Sequence, residues 1–127
     1  MTERIAASDA VTQGTAPPVN RSDDRKVFRA KRSGTVVMKP AGGFPLNAKL
    51  YDISIQSVRS HVEMPVALGK EYQIDVQVFQ KGKHYTFSCL SKCIACTLSG
   101  RGFLIECQYK NKSGEVEATI SDIINRD

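Results

Sequence analysis

The sequence predicts a mainly all-β domain: about six short strands closing into a barrel or a sandwich, one C-terminal helix, and a flexible N-terminal tail. Three observations carry this reading. Apolar residues recur at every second position in several separate runs, the period of a half-buried strand. Clusters of Gly, Pro and Ser divide those runs at regular intervals. Only the last stretch changes to helical spacing, at Val116, Ile120, Ile123 and Ile124.

Residues 1–22 are rich in Thr, Ala, Ser, Gln, Asn and Pro, include Pro17-Pro18, and show no sustained periodicity. Such a segment cannot bury enough apolar surface to order alone, so it reads as a flexible tail before a domain spanning 23–127. Thr35-Val36-Val37-Met38 is a β-rich run that ends before the turn cluster Pro40-Ala41-Gly42-Gly43. Leu46 to Ile55 is the second strand, with Tyr51, Ile53 and Ile55 on one face and Asp52 and Ser54 on the other. A short third run, Val58 to Val62, is closed by Pro65 and Gly69. Tyr72, Ile74, Val76 and Val78 alternate with Gln73, Asp75 and Gln77, the clearest strand in the chain. Gln80-Lys81-Gly82-Lys83 is the hairpin turn that follows. Tyr85, Phe87 and Cys89 open a long strand whose apolar phase slips to Ile94, Cys96 and Leu98, as a bulge would cause. Ser99-Gly100-Arg101-Gly102 then turns the chain into Phe103, Ile105, Cys107 and Tyr109. In the closing helix Glu115 and Glu117 fall in the first turn, where acids suit the positive end of the dipole.

A chain of 127 residues makes one domain, large enough to bury a core without a metal or disulfide staple. The net charge is +5, with −2 in the first 24 residues and +7 in the other 103. That basic body favours an anionic partner. No run of apolar residues is long enough for a membrane-spanning helix, so no membrane insertion is expected. The N-terminus lacks both a cationic leader and an apolar h-region, which argues against a signal peptide and for the cytoplasm. Four cysteines fit that reducing compartment. Only His61 and His84 could serve as histidine acid/bases, in unrelated segments, and both read as surface residues. An enzyme is not expected.

Two stretches carry chemistry. From residue 25 to residue 40 there are six cations and no acid, most of them in Arg25-Lys26-Val27-Phe28-Arg29-Ala30-Lys31-Arg32. An arbitrary charge run of this kind is usually a solvated face, but Arg25 and Arg29 are four apart and can converge on one ligand. Each guanidinium can grip a phosphate or the O6/N7 edge of guanine with two hydrogen bonds. The second stretch is Tyr51-Asp52-Ile53-Ser54-Ile55-Gln56-Ser57-Val58-Arg59. A carboxylate at Asp52 can accept from the N1–H and N2–H₂ donors of guanine, and the Ser54 hydroxyl can bond a base or a phosphate.

Together these stretches resemble the PilZ domain family, bacterial receptors for cyclic di-GMP. That family is marked by R-x-x-x-R before the first barrel strand and by [D/N]-x-S-x-x-G some twenty to thirty residues later. Arg25 to Arg29 fits the first element, and Asp52 to Ser57 fits the second except at its end, where Ser57 stands for glycine. Arg21 to Arg25 offers another register, but strand-like residues follow Arg29 almost directly. The resemblance covers 23–127 and implies a six-stranded antiparallel PilZ-type β-barrel with a C-terminal helix. It implies that Arg25 and Arg29 wrap guanine Hoogsteen edges and phosphates, and that Asp52 and Ser54 meet the ligand across the barrel surface. The segment before the first arginine would be a switch that orders when ligand binds. The resemblance also puts Ser57 at that ligand site; if its backbone needs φ > 0, serine is strained there by about 1–2 kcal/mol. If glycine only lets the ligand approach, a small serine fits.

The resulting expectation is a cyclic di-GMP receptor without catalytic activity or other cofactor, which signals to a protein partner. The first rival is a PilZ-like adaptor that binds no nucleotide and works through protein contacts. A second is a small basic barrel for single-stranded nucleic acid, but that wants aromatics among the cations and Phe28 is the only one in the stretch. Nucleic acid polymer is therefore not expected as a partner. Cys89-x-x-x-Cys93-x-x-Cys96 has the spacing of the radical-SAM cluster motif, with Cys107 as a fourth thiol. Such enzymes need a far larger barrel, and strand alternation would set Cys96 opposite Cys89 and Cys93. The cysteines read as small core hydrophobes, with no metal site.

Overall fold

The computed structural model describes residues 28–125. The expected tail, the domain boundary at residue 23 and Arg25 lie outside the described residues. The elements are β1 (Ala30–Lys31), β2 (Ser33–Pro40), β3 (Leu46–Ile53), β4 (Ser57–Val62), β5 (Glu71–Gln80), β6 (Lys83–Ser99), β7 (Gly102–Lys110) and α1 (Gly114–Asn125). All pairings among them are antiparallel. The sheet runs β3-β2-β5-β6-β7-β4, and β4 returns to pair with β3. Six strands thus close into a barrel, which leaves no long edge to protect. β1 is a two-residue addition on the end of β3, with Ala30 opposite Ile53 and Lys31 opposite Asp52.

The interior follows the alternation. Tyr72, Ile74, Val76 and Val78 of β5 are all buried and face a core that includes Met38, Val58, Ile105 and Cys107. The β5–β6 hairpin turns on Lys81 and Gly82, with φ of 49° and 79°, the two left-handed residues of a type I′ turn. The helix packs against β6 and buries Ile120, Ile123 and Ile124. Its first turn is capped by Ser113, whose Oγ accepts the Val116 N–H at 3.1 Å.

Three local expectations need correction. β2 does not stop before Pro40; it continues through it, paired with Tyr72 of β5. β3 ends at Ile53, and its inward positions are Ala48, Leu50 and Ile53. Tyr51 and Ile55 are 40% and 50% exposed rather than sharing a face with Ile53. The reason is a bulge. Leu50 pairs with Ser60 but Asp52 with Arg59, so Tyr51 is an extra residue that shifts the alternation by one. The slip expected in β6 is also a bulge, at Ile94, between the pairs Cys93–Cys107 and Ala95–Glu106. It has a consequence contrary to expectation: Cys96 pairs with Ile105 and packs on the core, the same side as Cys93. Ile94 is the looped-out residue, and Leu98 lies exposed near the strand end.

Candidate functional site

Asp52, Arg59 and Glu106 stand side by side on the outer face of the barrel, on β3, β4 and β7, because register pairs Asp52 with Arg59 and Arg59 with Glu106. The Tyr51 bulge is what turns Asp52 outward. Asp52 is nonetheless only 3% exposed, since two arginines lie over it. Arg59 Nε donates to its Oδ1 at 2.8 Å and Arg59 Nη2 to its Oδ2, while Arg29 Nε donates to Oδ1 at 3.0 Å. Burial alone would raise the Asp52 carboxyl. The hydrogen bonds and charges of Arg59 and Arg29 outweigh burial and hold it below the usual aspartate range. The Asp52 hydrogen bond in turn pushes the Arg59 guanidinium up.

Arg29 reaches this row because β1 pairs with the end of β3, which sets residue 29 beside the β3–β4 turn. Its Nη1 donates to Ser57 Oγ at 2.9 Å, to Ser54 Oγ at 3.3 Å and to Glu106 Oε2 at 3.5 Å. Its Nη2 donates to the Ser57 carbonyl at 3.4 Å. Ser57 Oγ donates to Glu106 Oε2 at 2.6 Å, so serine, arginine and glutamate form one network.

Ser54 holds the turn itself. It is fully buried, its Oγ accepts the N–H groups of Gln56 and Ser57 at 3.1 Å each, and its own N–H donates to the Ser57 carbonyl at 2.9 Å. Ser57 has no positive φ, so serine is unstrained where the motif has glycine. Of the expected site residues, Arg29, Asp52, Ser54 and Ser57 therefore come together, and Arg25 lies outside the described residues. Arg32, from the same basic stretch, is engaged elsewhere: its Nε and Nη2 donate to the Ile123 and Ile124 carbonyls at 3.0 and 3.2 Å.

Two charged residues were missed by sequence reasoning. Arg59 had a signal, because residues 57 and 59 share a strand face. Glu106 had none, since only the β4–β7 register brings it here. A cleft of about 310 Å³ opens over the row, lined by Arg29, Ser57, Arg59, Ile94, Glu106 and Gln108. It lies near the lower end of small-molecule sites. Tyr51 carries Lys31 and Arg59 against its ring, at 5.0 and 5.6 Å from the centroid. Beyond it lies a wider groove of about 500 Å³ with Lys31, Phe79 and Lys81 in its walls.

No family model and no curated protein matches the sequence. Solved structures do. The PilZ domain of YcgR from Escherichia coli, described with cyclic di-GMP, superposes with a TM-score of 0.63 at 19% identity, over 79% of this chain and 88% of that one. This chain has the PilZ-domain fold. A larger YcgR structure from E. coli, in complex with cyclic di-GMP, gives a TM-score of 0.67 at 23% identity, over 79% of this chain and 44% of that one. The Bacillus subtilis inhibitor of motility, MotI/DgrA, gives 0.68 at 8% identity, over 80% of this chain and 49% of that one. This PilZ-type chain thus spans less than half the length of both larger neighbours. Among the described residues no helix is long and apolar enough to cross a membrane, and no cluster of His, Cys, Asp or Glu is arranged to hold a metal ion.

Proposed function

We propose that this chain is a non-catalytic receptor for cyclic di-GMP that passes its occupancy to a protein partner. One observation carries the reading: on a PilZ-type barrel, Arg29 converges on Asp52, Ser54 and Ser57 beside Arg59, at the mouth of an open cleft. Two guanidiniums aligned by one carboxylate present a fork of donors suited to phosphates and guanine Hoogsteen edges. Arg25, four residues ahead, would bring a third. Ligand would exchange protein acceptors for its own on Arg29, and the preceding loop would settle over the dinucleotide, a population shift driven by differential contacts. The four thiols are free, in keeping with a reducing cytoplasm.

A second reading is favoured by one feature. Every nitrogen of Arg29 already has an acceptor within the chain, Glu106 among them. A PilZ-like adaptor that binds no nucleotide would have this closed network. Titration calorimetry decides between the two. The receptor binds cyclic di-GMP in preference to cyclic di-AMP and GTP, and Arg25→Ala or Arg29→Ala each weakens it by about 1–3 kcal/mol with the fold intact. No heat with cyclic di-GMP at near-millimolar protein leaves the adaptor.

A further inference from the structure

We propose that Glu106 is the residue that selects guanine at this site, accepting the N1–H and N2–H₂ donors of one base, with Ser57 holding its carboxylate in place. The proposal rests on the cyclic di-GMP reading and goes beyond it. The acid that sequence reasoning gave this task is Asp52. Its two oxygens, however, accept from Arg59 and Arg29, and its side chain is only 4% exposed. A base edge could reach it only by breaking charge-assisted bonds in a poorly hydrated position, which is costly. Asp52 instead aligns the two guanidiniums and is a positioning residue.

Glu106 meets the requirements that Asp52 does not. It is the one carboxylate among the described residues that line the cleft, and its side chain is 27% exposed. Its Oε2 is oriented by Ser57 Oγ at 2.6 Å and lies 3.5 Å from Arg29 Nη1. Guanine offers adjacent N–H donors on one edge and the O6/N7 acceptors on another. A carboxylate next to a guanidinium therefore matches it with donors and acceptors both satisfied, whereas adenine or hypoxanthine leaves an acceptor unmet. Ile94, looped out of β6 and 43% exposed, walls the same cleft and offers an apolar surface to a base. Serine at position 57, where the motif has glycine, supplies the hydroxyl that this arrangement uses.

The test is a calorimetric comparison of cyclic di-GMP with cyclic di-IMP, which lacks the N2 amino group, on the full chain and on Glu106→Gln. The parent should prefer cyclic di-GMP by about tenfold or more, the worth of a hydrogen bond to a charged group. Glu106→Gln keeps the shape but turns one acceptor into a donor, so the preference should fall to about twofold or less. Asp52→Asn should weaken both ligands alike and keep the preference. Equal binding of the two ligands by the parent overturns the role of Glu106 while the receptor reading stands. So does an unchanged preference in Glu106→Gln, or an equal gain for both ligands, which would mean that Glu106 merely competes for Arg29. Binding of neither ligand by the parent overturns the receptor reading and this role with it.

Discussion

Asp52 is charged, 3% exposed and held between guanidiniums whose outer parts still meet water. Burying an ion is expensive, and the hydrogen bonds from Arg59 and Arg29 offset that cost. Removing the charge leaves the arginines without their shared acceptor. Because both are part-exposed, solvent softens the loss, and Asp52→Asn should lower stability by about 1–3 kcal/mol in urea unfolding at neutral pH. The pH dependence has a definite sign. A carboxyl held below its unfolded value stabilises the fold fully above that value and loses the contribution as pH falls through the folded one. Stability of the parent should therefore drop below about pH 4, and Asp52→Asn should flatten part of that limb. Asp75, held low by Lys39 and Ser88 against the raising effect of burial, keeps the remainder in place. An acid limb unchanged in the variant would mean that Asp52 is not the group responsible.

Elements place these residues, and two bulges do most of the placing. The extra residue at Tyr51 turns Asp52 onto the outer face, and the one at Ile94 sets an apolar side chain beside Glu106. The first was hidden because Tyr51, Ile53 and Ile55 look like one uninterrupted apolar face. The second was visible as a phase slip between Cys89 and Ile94. The helix shows another division of labour. Its last turn has no basic residue of its own, and Arg32, from the β1–β2 junction, supplies the cation to the carbonyls of Ile123 and Ile124. Arg32→Ala should cost about 0.5–2 kcal/mol of stability while changing cyclic di-GMP affinity less than about twofold, in contrast to Arg29→Ala. Thermal unfolding and calorimetry on the same variant read both quantities, and an affinity loss as large as that of Arg29→Ala would put Arg32 in the ligand site.

At the scale of the whole molecule, the barrel depends on neighbours that approach closely all the way around. Gly34 of β2 sits where an added Cβ would run into the Gln77 carbonyl of β5. With no free edge, splaying at that seam cannot relax by peeling one strand away. Gly34→Ala should therefore cost about 1–3 kcal/mol, as overpacking does, in a single cooperative transition followed by circular dichroism. A neutral substitution would show that the seam opens without strain.

Period-two alternation, turn chemistry and helical spacing are local properties, so β5, its Lys81-Gly82 hairpin and α1 could be read directly from the chain. Arg29, Asp52, Ser54 and Ser57 could be singled out for the same reason, since each belongs to a short motif. Which charges stand beside which is a matter of register between strands far apart in sequence. Glu106 is 77 residues from Arg29, and only closure of the barrel brings them within 3.5 Å. The same register buries Asp52 under two arginines and leaves Glu106 open to the cleft. Residue types alone offered Asp52 as an acid for a ligand; closure of the barrel lays Arg59 and Arg29 over it, so its carboxylate already meets two guanidiniums in a nearly dry position.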